Sequence, residues 1–150
     1  MIRYTVNSVE TFLSIPLYVT ALTVSYNSCN DNSIGVVDLS SFKFLRRVVI
    51  DNNCFKNVQV FSIVGLNWLE SVSIGTYSFG DGSLLVGSEF KIVNCPQLKS
   101  LSIGYRSFVR YNGFELSQLP QLKSVVIGYN SNEYGCFQYV PNAVFRGMND

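Results

Sequence analysis

The sequence contains no histidine. Without an imidazole, neither a Ser/His/Asp nor a Cys/His catalytic arrangement can be built, and the usual nitrogen ligand of zinc is missing. The ten carboxylates are scattered, and none forms an obvious pair for acid–base chemistry. No phosphate-cradling glycine loop leads into a helix either. We therefore expect no enzymatic activity, no metal site and no cofactor.

Charge is also scarce. Lys, Arg, Asp and Glu make up 14% of the 150 residues, and the formal net charge is +1. A chain with so little net charge has no global field to attract nucleic acid or anionic lipid, and it contains no recognised nucleic-acid motif. Because 47% of the residues are apolar, intrinsic disorder is excluded, and one domain with a real core is expected.

Export and membrane signals are missing. The N-terminus, MIRYTVNSVETF, carries polar residues where a secretory peptide needs an apolar run. The longest weakly polar stretch, FLSIPLYVTALTV (12–24), is shorter than the roughly 18 residues that span a bilayer. No N-x-Ser/Thr glycosylation sequon occurs. These observations predict no membrane span and favour a cytoplasmic location.

The four cysteines form no C-x-x-C pair, which argues against a structural zinc site. Two interpretations of Cys29, Cys54, Cys95 and Cys136 are open, disulfides or buried free thiols. Free thiols are the more usual state in a chain of this size.

An internal repeat organises most of the chain. PQLKSLSIGYRSF (96–108) and PQLKSVVIGYNSN (120–132) agree at nine of thirteen positions and start 24 residues apart. The apolar frame of the first phrase, Leu98, Leu101 and Ile103, recurs five times in all. The other four copies are Val19, Leu22, Val24; Leu45, Val48, Ile50; Leu69, Val72, Ile74; and Leu122, Val125, Ile127. Five residues after the copies stand, in order, Cys29, Phe55, Phe79, Phe108 and Asn132.

A second apolar pattern lies between these copies. Segments that begin at Val37, Phe61, Phe90 and Phe114 alternate apolar and polar residues, which is typical of a short strand with one face inward. Each repeat therefore has two extended edges that contribute to one interior. Since one repeat cannot bury these side chains alone, we expect the copies to stack with strands about 4.8 Å apart.

The frame L-x-x-L-x-I-x-x-N-x-F resembles the leucine-rich repeat consensus. Its asparagine is present at 27, 53 and 130, and Tyr77 and Arg106 replace it in two copies. The phrase I-G-x-x-S-F at 74–79 and 103–108, with N-C-P-Q-L-K-S-L at 94–101, resembles the BspA-like subtype. The resemblance covers about residues 19–145. It implies a β-rich solenoid with parallel strands on a concave face, short extended segments on the convex side and little helix.

Two regions are predicted. Residues 1–18 form an N-terminal capping segment, in which Ile2, Tyr4 and Val6 alternate as in a strand. Residues 8–15 suit a brief helix with Ser8 as its N-cap. Residues 19–150 hold about five repeats, and the last repeat is incomplete or uncapped. An open C-terminal core predicts either further repeats or self-association.

The polar positions of the repeated strands are the candidate binding face. They form columns of Ser and Thr edged with Tyr, a composition similar to antibody paratopes. A basic strip interrupted by Glu70 runs beside them and predicts an acidic partner surface. The candidate partner-binding residues are Tyr26, Arg46, Arg47, Lys99, Tyr105, Arg106, Lys123 and Tyr129. The alternative is that Ser and Thr merely suit solvent-facing strand positions and that the tyrosines pack on their neighbours.

Two functions follow from the sequence. The resemblance to leucine-rich repeat proteins implies a protein-binding module that recognises its partner through the concave face lined by Ser, Thr, Tyr and Arg. The alternative is a structural scaffold or assembly segment of a longer solenoid, without a dedicated ligand.

Overall fold

The computed structural model describes residues 1–80, 87–128, 136–137, 140 and 143–148. Its elements, in chain order, are β1 (Arg3–Val6), α1 (Val9–Leu13), β2 (Ala21–Val24), β3 (Val36–Asp38), β4 (Arg47–Ile50), β5 (Val60–Val64), β6 (Ser71–Ile74), β7 (Glu89–Val93), β8 (Ser100–Ile103), β9 (Gly113–Leu119), β10 (Ser124–Ile127) and β11 (Ala143–Met148).

The strands form two parallel sheets. The six-stranded sheet has the order β1-β2-β4-β6-β8-β10, and the five-stranded sheet has the order β3-β5-β7-β9-β11. From β2 onward the chain alternates between the two sheets, so each strand of the first sheet and the following strand of the second make one rung. The expected sheet-rich, helix-poor architecture is confirmed, and α1 is the one α-helix among the described residues.

The predicted apolar frame lies in the core and in register. Leu22, Val48, Val72 and Leu101 pair across adjacent strands of the six-stranded sheet, and each is almost fully buried. Alternation along each strand puts these side chains inward and the intervening ones outward, as the period of two requires. The first four copies of the triplet are buried at every position.

The last copy departs from this prediction. Val125 and Ile127 align with Leu101 and Ile103, yet each is 42% exposed. The physical reason is position, because β10 is the outermost strand of its sheet in the described part of the chain. Among the described residues, the inward side chains of β10 therefore have a neighbouring strand on one side only, which is β8.

Two columns of phenylalanine rings run through the core. Phe55, Phe79, Phe108 and Phe137 stack with successive centroid distances of 5.2, 4.6 and 5.1 Å. Phe137 therefore occupies the place that the sequence assigned to Asn132, which lies outside the described residues. The chain is longer here than the repeat period, and counting five residues from Ile127 stops short of the ring that joins the column.

The second column belongs to the five-stranded sheet. Phe61, Phe90 and Phe114 face inward, as the second sequence pattern predicted, and their rings stack at 5.3 Å for each pair. Edge-to-face contacts join the two columns, for example between Phe90 and Phe108 at 5.0 Å. Offset and edge-to-face packing are the favourable geometries for aromatic rings, so the columns tie both sheets to one interior.

The N-terminal segment covers the first rung. Strand β1 pairs in parallel with β2, and Val6 is fully buried. Helix α1 has Ser8 as its N-cap, where the hydroxyl accepts a hydrogen bond from the Thr11 amide at 3.1 Å. A side chain that accepts from the first-turn amides satisfies a donor that the helix itself cannot.

The repeated glycines are required by close approach between rungs. A Cβ atom added at Gly104 would lie 2.6 Å from the carbonyl carbon of Gly75 and from the amide nitrogen of Thr76. Gly75 and Gly128 face the preceding rung in the same way, against Asn52 and Tyr105. None of these three glycines has a positive φ, so contact with the neighbouring backbone, rather than a turn conformation, excludes a side chain.

In the described ranges, the structure contains no helix long and apolar enough to cross a membrane.

Candidate functional site

The outward face of the six-stranded sheet presents small polar side chains. Its central row is Thr5, Thr23, Val49, Ser73, Ser102 and Val126, one residue from each strand. The row beside it is Arg3, Ala21, Arg47, Ser71, Ser100 and Ser124. The hydroxyls can adapt their hydrogen bonds to a partner, and the short side chains leave the surface open to contact.

A row of longer side chains stands where the strands begin. Thr20, Arg46, Glu70, Lys99 and Lys123 are linked by backbone N–H···O bonds of 2.7 to 2.9 Å. This register places three predicted site residues, Arg46, Lys99 and Lys123, in one row with Glu70 between them. All three basic residues are exposed, and Glu70 is half-buried.

Arg3, Arg46 and Arg47 form an arginine cluster at the start of this face. Arg46 follows Leu45 in the approach to β4, Arg47 is the first residue of β4, and Arg3 is the first residue of β1. Arg3 and Arg47 each pair with Ala21, so a short side chain separates them. Among the described residues, no carboxylate oxygen lies within 4.0 Å of their guanidinium nitrogens. These three cations are available to a partner.

Three exposed aromatic residues lie beside the cluster. Tyr18, Phe44 and Trp68 are 63%, 57% and 46% exposed, and each stands three residues before the first strand residue of its rung. We call them the aromatic row. The same position is Gln97 and Gln121 in the next two rungs, so the row is confined to the first three.

Arg46 joins the arginine cluster to the aromatic row. Its guanidinium carbon lies 5.9 Å from the centre of the Trp68 ring, within cation–π range. A hollow of about 310 Å³ is lined by Met1, Thr20 and Arg46. Arg46 thus contacts the Trp68 ring and also lines this hollow.

The remaining predicted site residues lie at the opposite ends of the strands. Tyr26 is 64% exposed, whereas Tyr105 and Arg106 are half-buried against Tyr77. The Tyr77 and Tyr105 rings meet edge to face at 5.4 Å, and the Arg106 guanidinium lies 5.5 Å from the Tyr77 ring centre. Tyr129 lies outside the described residues. Tyr105 and Arg106 thus pack on a neighbour as well as face solvent.

The predicted residues therefore form two groups rather than one patch. Tyr105 lies six positions after Lys99, which corresponds to about 20 Å along an extended chain. Arg46, Arg47, Lys99 and Lys123 belong to the strand starts. Tyr26, Tyr105 and Arg106 belong to the strand ends.

Sequence reasoning missed Arg3 and the aromatic row. The predicted columns contain the outward positions that follow the first apolar residue of each triplet, whereas Tyr18, Phe44 and Trp68 stand just before that residue. Extending the same frame to Tyr4 and Val6, which align with Leu22 and Val24, would have placed Arg3 on the outward face.

The cysteines are free thiols that point into the structure. Cys29, Cys54 and Cys95 are buried and Cys136 is half-buried. Loss of hydration raises the pKa of all four, and that of Cys29 rises to about 11, with a further contribution from the charge of Cys54. A thiol with a raised pKa is a poor nucleophile and metal ligand at neutral pH. Within the described ranges, no group of three or more Cys, Asp or Glu side chains could hold a metal ion.

Comparison with known proteins identifies no relative, since no family model, curated protein or solved structure matches this chain.

Proposed function

We propose that the chain is a leucine-rich-repeat-like solenoid module that binds a protein through the outward face of the six-stranded sheet. The solenoid interpretation is supported by the alternation of successive strands between two parallel sheets and by the in-register repeat of the apolar frame. It agrees with the sequence resemblance to leucine-rich repeat proteins, and in particular to the BspA-like subtype.

The observation that carries the binding function is the arginine cluster, which has no carboxylate partner among the described residues and lies on the same face as the Ser and Thr hydroxyls. Arg3, Arg46 and Arg47 are exposed, and in the part of the chain that the structure describes they make no ion pair. Ser73 and Ser102 offer small adaptable groups on the next two strands of the same face. Unpaired charges on such a face support complementary recognition of a partner and fast association.

The test is capture of a partner by the purified chain, with the bound protein identified by mass spectrometry. The double variant Ser73→Arg, Ser102→Arg blocks the outward face with two long side chains. The matched control Val36→Arg, Gln59→Arg places the same side chains at exposed positions along the five-stranded sheet. We expect the partner to be lost by the first variant and kept by the control. Equal capture by both variants contradicts a site on this face.

A second candidate function, assembly into a longer structure, is favoured by the apolar last rung. Val125, Ile127 and Phe145 are 42% to 57% exposed. A hollow of about 230 Å³ beside them is lined by apolar residues that include Phe114, Ile127 and Phe137. Exposed core positions at the end of a repeat stack are typical of a surface that another repeat covers.

Sedimentation velocity separates this candidate from the first. A concentration-dependent increase in mass that Ile127→Lys abolishes and Val36→Lys leaves unchanged would support assembly through the last rung. A monomer at every concentration would exclude self-association.

A further inference from the structure

We propose that β1 and the first three rungs form a binding site for an extended acidic peptide with apolar side chains, which the arginine cluster and the aromatic row recognise together. This inference rests on the proposed function and names the chemical class of its partner. It also places the contacts at one end of the face, away from Lys99, Lys123 and the tyrosines at the strand ends.

The aromatic row supplies the apolar half of the site. Tyr18, Phe44 and Trp68 precede three adjacent strands at the same position, so their backbones follow one another at about 4.8 Å per strand. Each presents about half or more of its surface to solvent, although the core next to it is closely packed. Aromatic side chains exposed in a row provide contact area at low cost in conformational entropy.

The arginine cluster supplies the charged half. Arg3 lies on β1 and Arg47 lies on β4, the first and third strands of the six-stranded sheet. They are about 10 Å apart, with the short side chain of Ala21 on β2 between them. A carboxylate can enter this notch and meet a guanidinium from either side. Arginine suits this task because its planar fork binds a carboxylate through two parallel hydrogen bonds.

Arg46 connects the two halves. Cation–π contact with Trp68 holds the guanidinium at the hollow lined by Met1 and Thr20, which reduces the entropy lost when it binds an anion. The Thr20 hydroxyl already donates to the Ile2 carbonyl at 3.0 Å, and it therefore offers a fixed polar wall to the hollow.

An extended peptide fits the order of these groups. On the second rung Phe44 comes first, Arg46 stands two residues later, and Arg47 follows it. Successive side chains of an extended peptide point to opposite sides. A peptide lying across the rungs with alternating acidic and apolar residues therefore directs its carboxylates to the arginines and its apolar groups to the aromatic row.

The charge pattern favours such a peptide over a single-stranded nucleic acid, which would also combine stacking with positive charge. A nucleic acid needs cations that continue along its phosphates, whereas Glu70 follows Arg46 in the same row. The net charge of +1 adds no wider attraction. The three arginines, with Glu70 next to Arg46, therefore suit a peptide that carries a few carboxylates better than a strand with a continuous row of phosphates.

The test uses the fluorescence of Trp68, the single tryptophan of the chain. The native chain is titrated with a synthetic peptide of alternating aspartate and leucine. The comparison ligands are alternating aspartate and serine, alternating lysine and leucine, and an oligothymidine. We expect a saturable change in emission with the first peptide and at least about tenfold weaker binding of the other three.

Two charge-reversal variants locate the site. Arg3→Glu, Arg47→Glu removes the notch and leaves Arg46 in contact with Trp68. Lys99→Glu, Lys123→Glu makes the same change of net charge at exposed positions outside the site. We expect the first variant to lose at least about tenfold in affinity for the aspartate–leucine peptide and the second to bind nearly as the native chain does. Circular dichroism is used to check that both variants are folded.

The aromatic half has its own variant, Phe44→Ser, which should also weaken binding of this peptide. The inference is overturned if the native chain does not bind the peptide, if it binds the lysine peptide or the oligothymidine equally well, or if the arginine variant retains native affinity. These outcomes do not decide the proposed function. A partner captured through Ser73 and Ser102 and still bound by the arginine variant would leave that function standing and exclude this site alone.

Discussion

At the scale of single residues, the position just before each ring of the first phenylalanine column holds a serine or a cysteine whose side chain donates a hydrogen bond. Ser107 Oγ donates to the Gly75 carbonyl at 2.8 Å, and Ser78 Oγ donates to the backbone carbonyl of Asp51 at 3.2 Å. Cys54 and Cys136 stand at the equivalent positions, and their thiols donate to the Ser25 and Gly104 carbonyls at 3.1 Å. Each bond joins a rung to the preceding one, where the strand of the six-stranded sheet has just ended. Two of the cysteines thus have a structural role that explains their presence without a disulfide.

The serine position predicts a specific pattern of stability. Ser107 is fully buried, and its hydroxyl also accepts the Ser78 amide at 3.1 Å. Ser107→Ala leaves that amide and the Gly75 carbonyl without partners, and we expect a loss of about 1–3 kcal/mol in the free energy of unfolding. Ser107→Cys reproduces what Cys54 and Cys136 provide and should cost less. Urea denaturation of both variants measures the difference, and equal losses would contradict the role given to the hydroxyl.

Gly104 gives a second prediction at this scale. Ala at this position would bring its Cβ atom to 2.6 Å from two backbone atoms of the preceding rung, which cannot move independently. We expect Gly104→Ala to destabilise the fold by more than 1 kcal/mol, the order typical of overpacking (about 1–3 kcal/mol). Gly35→Ala is the control, since an added Cβ atom there meets nothing within 4 Å. Thermal unfolding that shifts equally in both variants would exclude close approach as the reason for the glycine.

At the scale of elements, the short strands depend on the phenylalanine columns. Each strand of the six-stranded sheet has four residues, and β4, β6 and β8 each bury two of their four side chains. Phe108 is fully buried and contacts rings of both columns, including Phe79 at 4.6 Å and Phe90 at 5.0 Å. A strand of this length gains little from its own backbone bonds, so the rings supply much of its attachment to the core.

Phe108→Ala should therefore be costly. We expect a loss of about 3–5 kcal/mol in the free energy of unfolding, the range for truncation of a buried phenylalanine. Phe44→Ala is the matched control, because Phe44 is an exposed residue of the aromatic row, and its loss should change stability by about 0.5 kcal/mol or less. Chemical denaturation of the two variants side by side makes the comparison. A small effect of Phe108→Ala would contradict the register of the column.

The repeated elements were predictable because their signal is periodic. The triplets, the second apolar segment and the helix after Ser8 each follow from spacing and capping in the sequence alone. The ring of Phe137 was not predictable by counting, because extra residues precede it and no local property marks the length of an insertion. The half-buried state of Tyr105 and Arg106 depends on Tyr77 in the adjacent rung, and a single rung does not contain that information.

The candidate site was predicted in part for a related reason. Columns of outward residues could be read once the frame was known, and the register confirms that Arg46, Glu70, Lys99 and Lys123 share a row. The importance of Trp68 was not visible in this way. It comes from a side-chain contact with Arg46 across rungs, and periodicity predicts which backbones are adjacent but not which side chains meet.

At the scale of the whole molecule, groups that resist ionisation are distributed along the stack. Cys29, Cys54, Cys95 and Cys136 occur from the first rung to the last, and the buried Tyr111 donates its hydroxyl to the Val58 carbonyl at 2.7 Å. Burial raises the pKa of every one of these groups. Their ionisation therefore opposes folding throughout the structure rather than at one place.

This distribution predicts how stability depends on pH. In the unfolded chain a thiol ionises near its ordinary pKa of 9.0, whereas the folded Cys29 thiol ionises at about 11. The stabilisation is thus fully present below pH 9.0 and is lost as the pH rises towards about 11, because the unfolded state releases protons first. Since the chain has no histidine, we expect little change between about pH 6 and about pH 8.

Urea denaturation across this pH series measures the effect as a midpoint that is level near neutrality and falls above pH 9.0. Cys29→Ala serves as the internal comparison: the variant is less stable near neutral pH if packing is lost, but its midpoint should fall less steeply in alkali because one raised thiol is gone. A midpoint that stays level up to pH 11, or an equal fall with and without the Cys29 thiol, would contradict buried, protonated thiols as the origin of the alkaline loss.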